Sequence, residues 1–213
     1  MPPRQERAAT RQEKILDAAL DVFAEHGYQE ATVDEIASTA STSKGGIYFH
    51  FPGKDAIFMA LLDRSARQLL ARVAESVASE PDPIAKVDAA LQALAETFGS
   101  HRSLARLFLI EARGAGPRFH SRMAEVQARF VAFLQQHLEE AVRQGLVPPF
   151  DTEVASQAWF GALNQVIISW ALADNPRPLA DTYPHLRTLL LRSIGLPDQG
   201  TLPAARPAAA STT

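Results

Sequence analysis

Residues 41–51 read STSKGGIYFHF, a polar run closed by a lysine, then two adjacent glycines, then four aromatic rings behind one isoleucine. Glycine costs about 1 kcal/mol relative to alanine inside a helix, so Gly45 and Gly46 in a helical setting need a reason. Upstream, residues 10–26 place Ile15, Leu16, Ala19, Leu20, Val22 and Phe23 at helical spacing, and Gly27 stands where a left-handed C-cap belongs. Thr32-Val33-Asp34-Glu35 is a capping box, so a second helix starts at Val33, buries Val33, Ile36 and Ala37, and ends near Ala40. A turn at Ser41-Thr42 leads to a third helix, about Ser43 to His50, which Pro52-Gly53 ends before Lys54 opens a fourth, to about Ser79.

Two short helices across a tight turn, the second polar at its start, form a helix-turn-helix, whose second helix offers its N-terminal side chains to base edges. Thr42, Ser43 and Lys44 occupy that start. Behind them Gly45 and Gly46 remove bulk and let the helix backbone approach DNA closely. Ile47 is then expected in the core, Tyr48 and His50 toward phosphates, and Phe49 with Phe51 as anchors against helices 1 and 4. Lys54, in the first turn of helix 4, is expected to add a phosphate contact. Six basic residues stand against eight acidic ones over residues 1–54, so DNA binding requires the positive groups to gather on one face.

The pattern Thr32-x-x-x-Ile36-Ala37-x-x-Ala40, with Ser43-Lys44-Gly45-Gly46-Ile47-Tyr48-Phe49-His50-Phe51-x-x-Lys54-Asp55, resembles the DNA-binding signature of TetR-family transcriptional repressors. By that resemblance Thr32, Ser43, Lys44, Tyr48, His50 and Lys54 fall at positions the family uses against DNA. Two departures stand out. Ser41 and Thr42 replace the family's usual glycine and aliphatic residue, and Gly46 replaces a commoner Ser, Thr or Ala.

Beyond helix 4 the pattern is helices broken by proline and glycine, without period-two alternation. Pro81 and Pro83 begin a helix running to about Gly99, and further helices follow over residues 102–113, 118–144, 152–173 and 182–194. The expectation is therefore an all-α protein of about nine helices. It comprises a flexible arm over 1–9, a DNA-binding unit over 10–53, a ligand-binding and dimerisation unit over 54–195, and a disordered tail over 196–213.

Arg102, Arg106 and Arg113 fall within an arc of about 40°, and Arg118, Arg122 and Arg129 repeat the spacing on the next helix. These stripes are either solvated faces or the cradle of an anionic ligand whose apolar part enters the bundle. Phe108, Met123, Val126 and Phe130 are candidate pocket residues beside Arg106, Arg113 and Arg122. Trp159, Leu163, Val166, Ile167 and Trp170, with Leu186, Leu189 and Leu190, form a candidate dimer face, and a two-fold dimer implies a palindromic operator.

Within the family, Glu111-Ala112-Arg113, Phe160-Gly161-Ala162-Leu163 and Ser169-Trp170-Ala171-Leu172 are similar to the FadR-type repressors of fatty-acid degradation. That resemblance implies a homodimer that leaves double-stranded operator DNA on binding a small-molecule effector, long-chain acyl-CoA. The alternatives are a TetR-type regulator of efflux or stress genes responding to a hydrophobic aromatic compound, and a helical acyl-CoA-binding protein that does not bind DNA.

Composition narrows the rest. The chain has 213 residues, 46% hydrophobic and 21% charged, which suits a globular protein. It has no cysteine, so disulfides and thiolate sites are excluded. Neither a signal segment nor a membrane span is indicated, and the expected location is the cytoplasm. The Ser41-Thr42-Ser43-Lys44 match to S-x-x-K lacks its companion motifs, Gly114-Ala115-Gly116 follows a helix rather than a strand, and the six histidines have no metal-ligand spacing. No enzymatic constellation, cofactor or metal is expected.

Overall fold

Apolar residues three and four apart along nearly the whole chain favour helices. The computed structural model describes the backbone of residues 4–196 and the side chains of residues 10–112 and 114–196. Among the described residues there are nine helices and no strand. The tail expected beyond Leu196 lies outside them.

Helix α1 (Arg4–Glu30) begins upstream of Thr10, so the segment expected as an arm is helical from Arg4. It is broken at Gly27, whose φ of 78° and ψ of 162° suit only glycine. Then come α2 (Val33–Thr39), α3 (Lys44–His50), α4 (Lys54–Ala78) and α5 (Pro83–Ser100). Helix α6, residues 102–114, is regular over Arg102–Arg106, widens to a π turn over Leu107–Glu111, and closes at Ala112–Gly114. Helices α7 (Pro117–Arg143), α8 (Thr152–Leu172) and α9 (Leu179–Ser193) complete the chain.

The N-terminal unit buries Ile15, Phe23, Ile36, Ile47, Ile57 and Phe58 completely, so α1, α2, α3 and the start of α4 share one core. The same α4 then runs on into the larger body, where it packs on α5 through Leu69 and Val73. Tyr183 donates to the Asp88 carboxylate at 2.9 Å and Arg187 Nε to its other oxygen at 2.6 Å, tying α9 to α5. No helix among the described residues is long and apolar enough to cross a membrane.

Candidate DNA-binding face and effector cavity

Both short helices are capped by their own side chains. Thr32 Oγ1 accepts from the Glu35 N–H at 3.2 Å while the Glu35 carboxylate accepts from the Thr32 N–H at 2.8 Å. The hydrogen bond from the Thr32 hydroxyl, more than any other cause, holds the Glu35 carboxyl below the usual carboxylate range. Ser43 Oγ accepts from the Gly46 N–H at 3.1 Å and opens α3. Between them Ser41 adopts φ 51°, and the turn is closed by the Thr42 N–H on Ala37 O at 2.9 Å and the Ser41 N–H on Ser38 O at 3.1 Å. The turn therefore keeps the geometry that glycine provides elsewhere in the family.

On α3, Ile47 and Phe51 are buried, whereas Tyr48 is 49% and Phe49 77% exposed. Phe49 is thus no anchor. Ile47 and Phe51 are four residues apart and share the inner face, and a residue two positions from each must point away from it. Thr42 and His50 are half-buried, and Thr32, Ser43, Lys44 and Gly45 are exposed. Lys44 Nζ lies 2.8 Å from Asp34 Oδ2 in an exposed pair, and the hydrogen bond to Asp34 raises the lysine above its ordinary value. Such a pair is weak and gives way readily to a phosphate.

The two glycines have separate causes. A Cβ at Gly46 would stand 2.6 Å from Thr42 Oγ1, so a side chain there fits only if the Thr42 side chain shifts. A Cβ at Gly45 would meet nothing nearer than Ser43 Oγ at 3.9 Å. Space on the protein's side of Gly45 is therefore open.

Lys54 departs from expectation. Its Nζ donates to the carbonyls of Tyr28 and Gln29 at 2.8 Å and of Ala31 at 2.9 Å, which takes all three ammonium protons. It closes the frayed end of α1 instead of reaching a phosphate. The same end is held from the body: Glu111 Oε2, at the close of the π turn, accepts the Tyr28 N–H at 2.9 Å.

The body contains a partly open cavity of about 210 Å³ between α1, α4, α5 and α6. Its polar wall is Asp17, Arg64, Gln68, Arg72, Thr97 and His101, and its apolar side is Leu20, Leu69, Phe98, Leu104 and Phe108. Leu69, Phe98 and Phe108 also line a second, narrow apolar cavity of about 30 Å³, with Leu94, Met123, Val126, Phe130 and Phe160. The Phe130 and Phe160 rings, stacked at 6.1 Å, stand at its end. The π turn contributes Phe108 and Leu109 to these walls.

Phe108, Met123, Val126 and Phe130 thus come together as the sequence suggests, but the arginines do not join them. Arg102 donates to the carbonyls of Ala171 and Ala173 and covers the end of α8. Arg122 is held by Asp63 at 2.6 Å and Glu125 at 2.8 Å, which raises it above its ordinary value, mainly through the bond to Asp63. Arg106 faces a separate cleft with Asp21, Glu25 and Asp174, and the Arg113 side chain lies outside the described residues. The cationic wall of the cavity comes instead from Arg64 and Arg72 on α4. A signal was present: Arg64 falls one turn from Leu61, and Gln68 and Arg72 follow it at one-turn intervals.

The candidate dimer face divides. Trp159, Leu163, Ile167 and Leu190 are buried within the chain, Trp159 with its Nε1 on Ser193 Oγ at 3.1 Å. Val166, Trp170 and Leu186 are half-buried, and Leu189 is 62% exposed. The buried four lie on the helix faces turned toward α5 and α7, a distinction that hydrophobicity alone does not make.

Two family models match the chain. Bacterial regulatory proteins of the tetR family match residues 15–61, and the tetracyclin repressor-like C-terminal domain matches residues 80–172. The chain belongs to the TetR family. It is similar to the fatty acid metabolism regulator protein of Bacillus subtilis (strain 168), 24% identical over 182 residues that cover 85% of this chain and 94% of that one. The fatty acid degradation regulator FadR from Bacillus halodurans superimposes with a TM-score of 0.76 at 26% identity, covering 84% of this chain and 97% of that one. FadR from Bacillus subtilis, in complex with stearoyl-CoA, superimposes with a TM-score of 0.78 at 24% identity, covering 85% and 98%. This TetR-family chain is accordingly a transcriptional regulator, and its relatives are regulators rather than enzymes. Regulators of the family bind operator DNA and small-molecule effectors, and need no cofactor. Among the described residues no group of His, Asp and Glu could hold a metal ion.

Proposed function

We propose that the protein is a repressor that binds a palindromic operator as a homodimer, and leaves it when an acyl effector of the long-chain acyl-CoA class enters the body. The observation that carries this reading is the pair of neighbouring cavities that share Leu69, Phe98 and Phe108 as walls, one polar at Arg64 and Arg72 and the other apolar as far as Phe160. An amphipathic ligand needs both parts. The stearoyl-CoA held by the FadR relative supports the choice of class. On the DNA side, Thr42, Ser43, Lys44 and Tyr48 would meet the major groove and its edges, with Gly45 closest to the duplex. Dimerisation through the outer faces of α8 and α9 is supported by the exposure of Leu172 and Leu189. The location that suits this work is the cytoplasm.

A compact aromatic effector is the second reading. The cavity volume of about 210 Å³ favours it, since ligand sites more often measure about 300–1,000 Å³. Titration of the protein against its own upstream DNA, followed by fluorescence anisotropy, separates the two. Release by stearoyl-CoA but not by free CoA is the expected result. Release by salicylate alone would assign the aromatic reading, and tight binding that neither compound disturbs would discard both effectors.

A further inference from the structure

We propose that Arg64 senses the effector: its guanidinium takes an anionic oxygen of the ligand's head group and in doing so leaves the carboxylates of Glu13 and Asp17. The proposal rests on the ligand-responsive reading above and adds the residue and the chemistry. Arg64, Gln68 and Arg72 lie between the two segments that the family models match.

Arg64 is 8% exposed, in the middle of α4. A buried guanidinium is tolerated only where its donors are satisfied. One nitrogen is: Nη1 donates to Glu13 Oε2 at 2.9 Å and to Asp17 Oδ1 at 2.7 Å, both on α1. Nε is buried and has no partner. The cavity adjoins this residue, and Gln68 and Arg72 continue the wall at one-turn intervals along α4. A buried arginine on the wall, a second arginine beside it and a neighbouring apolar cavity together describe a site for an anionic head on an apolar chain. The carboxylate of a free fatty acid and the phosphates of an acyl-CoA offer that same chemistry.

Asp17 lines the cavity too and is the ligand's competitor. Its side chain is 70% exposed, as that of Glu13 is 59% exposed, so both carboxylates are hydrated when released. Arg64 therefore bridges the cavity to α1, the helix on which α2 packs. A ligand that draws the guanidinium inward loosens α1 from α4, and by linkage operator DNA and ligand then oppose each other's binding.

The test compares wild type, Arg64→Lys and Asp17→Asn. Sodium decanoate, stearoyl-CoA and 1-decanol are titrated by calorimetry, and the anionic ligands also against operator-bound protein. Arg64→Lys keeps a positive charge for α1 but loses the Nε donor and the planar fork. It should weaken whichever anionic ligand binds by about ten-fold or more, the worth of one charge-assisted hydrogen bond, and leave decanol unaffected. Asp17→Asn should bind the anionic ligand more tightly, yet show a smaller ratio between its affinities for free and operator-bound protein. Release of Arg64→Lys at the wild-type ligand concentration overturns the proposal. If that variant fails to fold, an unchanged ligand affinity in Asp17→Asn overturns it equally. A wild type that responds to neither anionic ligand defeats the acyl-effector reading itself, and this proposal with it.

Discussion

The α2–α3 unit and the effector body treat polar and apolar groups in opposite ways. In the first, the large apolar side chains that stay uncovered, Tyr48 and Phe49, point outward beside a glycine with open space around it. In the second, a charged side chain, Arg64, lies buried beside a void with one donor unmet. Each is a departure from ordinary packing, and each suits the partner proposed for it: an open surface for a duplex, and a recess for a small ligand.

The sharpest way to break this comparison is at Gly45. Gly45→Leu should reduce operator binding to the non-specific level, a loss of about 10³-fold or more. Its thermal stability should not fall, since leucine is the better helix former, the position is exposed and the Cβ meets nothing nearer than 3.9 Å. Retained operator affinity would remove the account of the bare position.

A smaller effect is expected at Lys54. Lys54→Gln should cost about 1.5–3 kcal/mol of stability in chemical denaturation through its hydrogen bonds to the end of α1. The salt dependence of operator binding should stay as in the wild type. A slope reduced by about one contact per subunit would restore the phosphate role.

The smallest effect separates Gly46 from Gly45. Gly46→Ala brings a methyl against Thr42 Oγ1, so a double-mutant cycle with Thr42→Ala should show a coupling of about 1 kcal/mol. The same cycle between Gly45→Ala and Thr42→Ala should show none. Equal couplings would erase the distinction between the two glycines.

Much of the DNA-binding unit was legible because its logic is local. The Thr32–Glu35 box, the Ser43 cap and the burial of Ile36, Ile47 and Phe51 follow from spacings of three and four. Phe49 was misread because aromatic character was given more weight than helical phase. Thr42 and Gly46, two separate departures from the family pattern, turn out to be one compensated pair, visible only once Oγ1 has a position. The body was less legible. Its apolar cavity could be read from Phe108, Met123, Val126 and Phe130, whose spacing puts them on inner faces. Its charged wall could not be read from arginine stripes, because a stripe does not say whether a carboxylate from another helix waits beside it, as Asp63 does beside Arg122. Contacts between residues far apart in the chain, Glu111 to Tyr28 and Arg64 to Asp17, carry no signature in spacing at all.

The most direct test of the central claim, a bare reading helix and a separate acyl cavity in one chain, is to measure both affinities on Gly45→Leu. Operator binding by anisotropy should be lost while stearoyl-CoA binding by calorimetry stays at the wild-type value. Loss of both would mean that Gly45 supports the fold rather than the DNA face, and persistence of operator binding would mean that α3 does not read DNA through its bare surface.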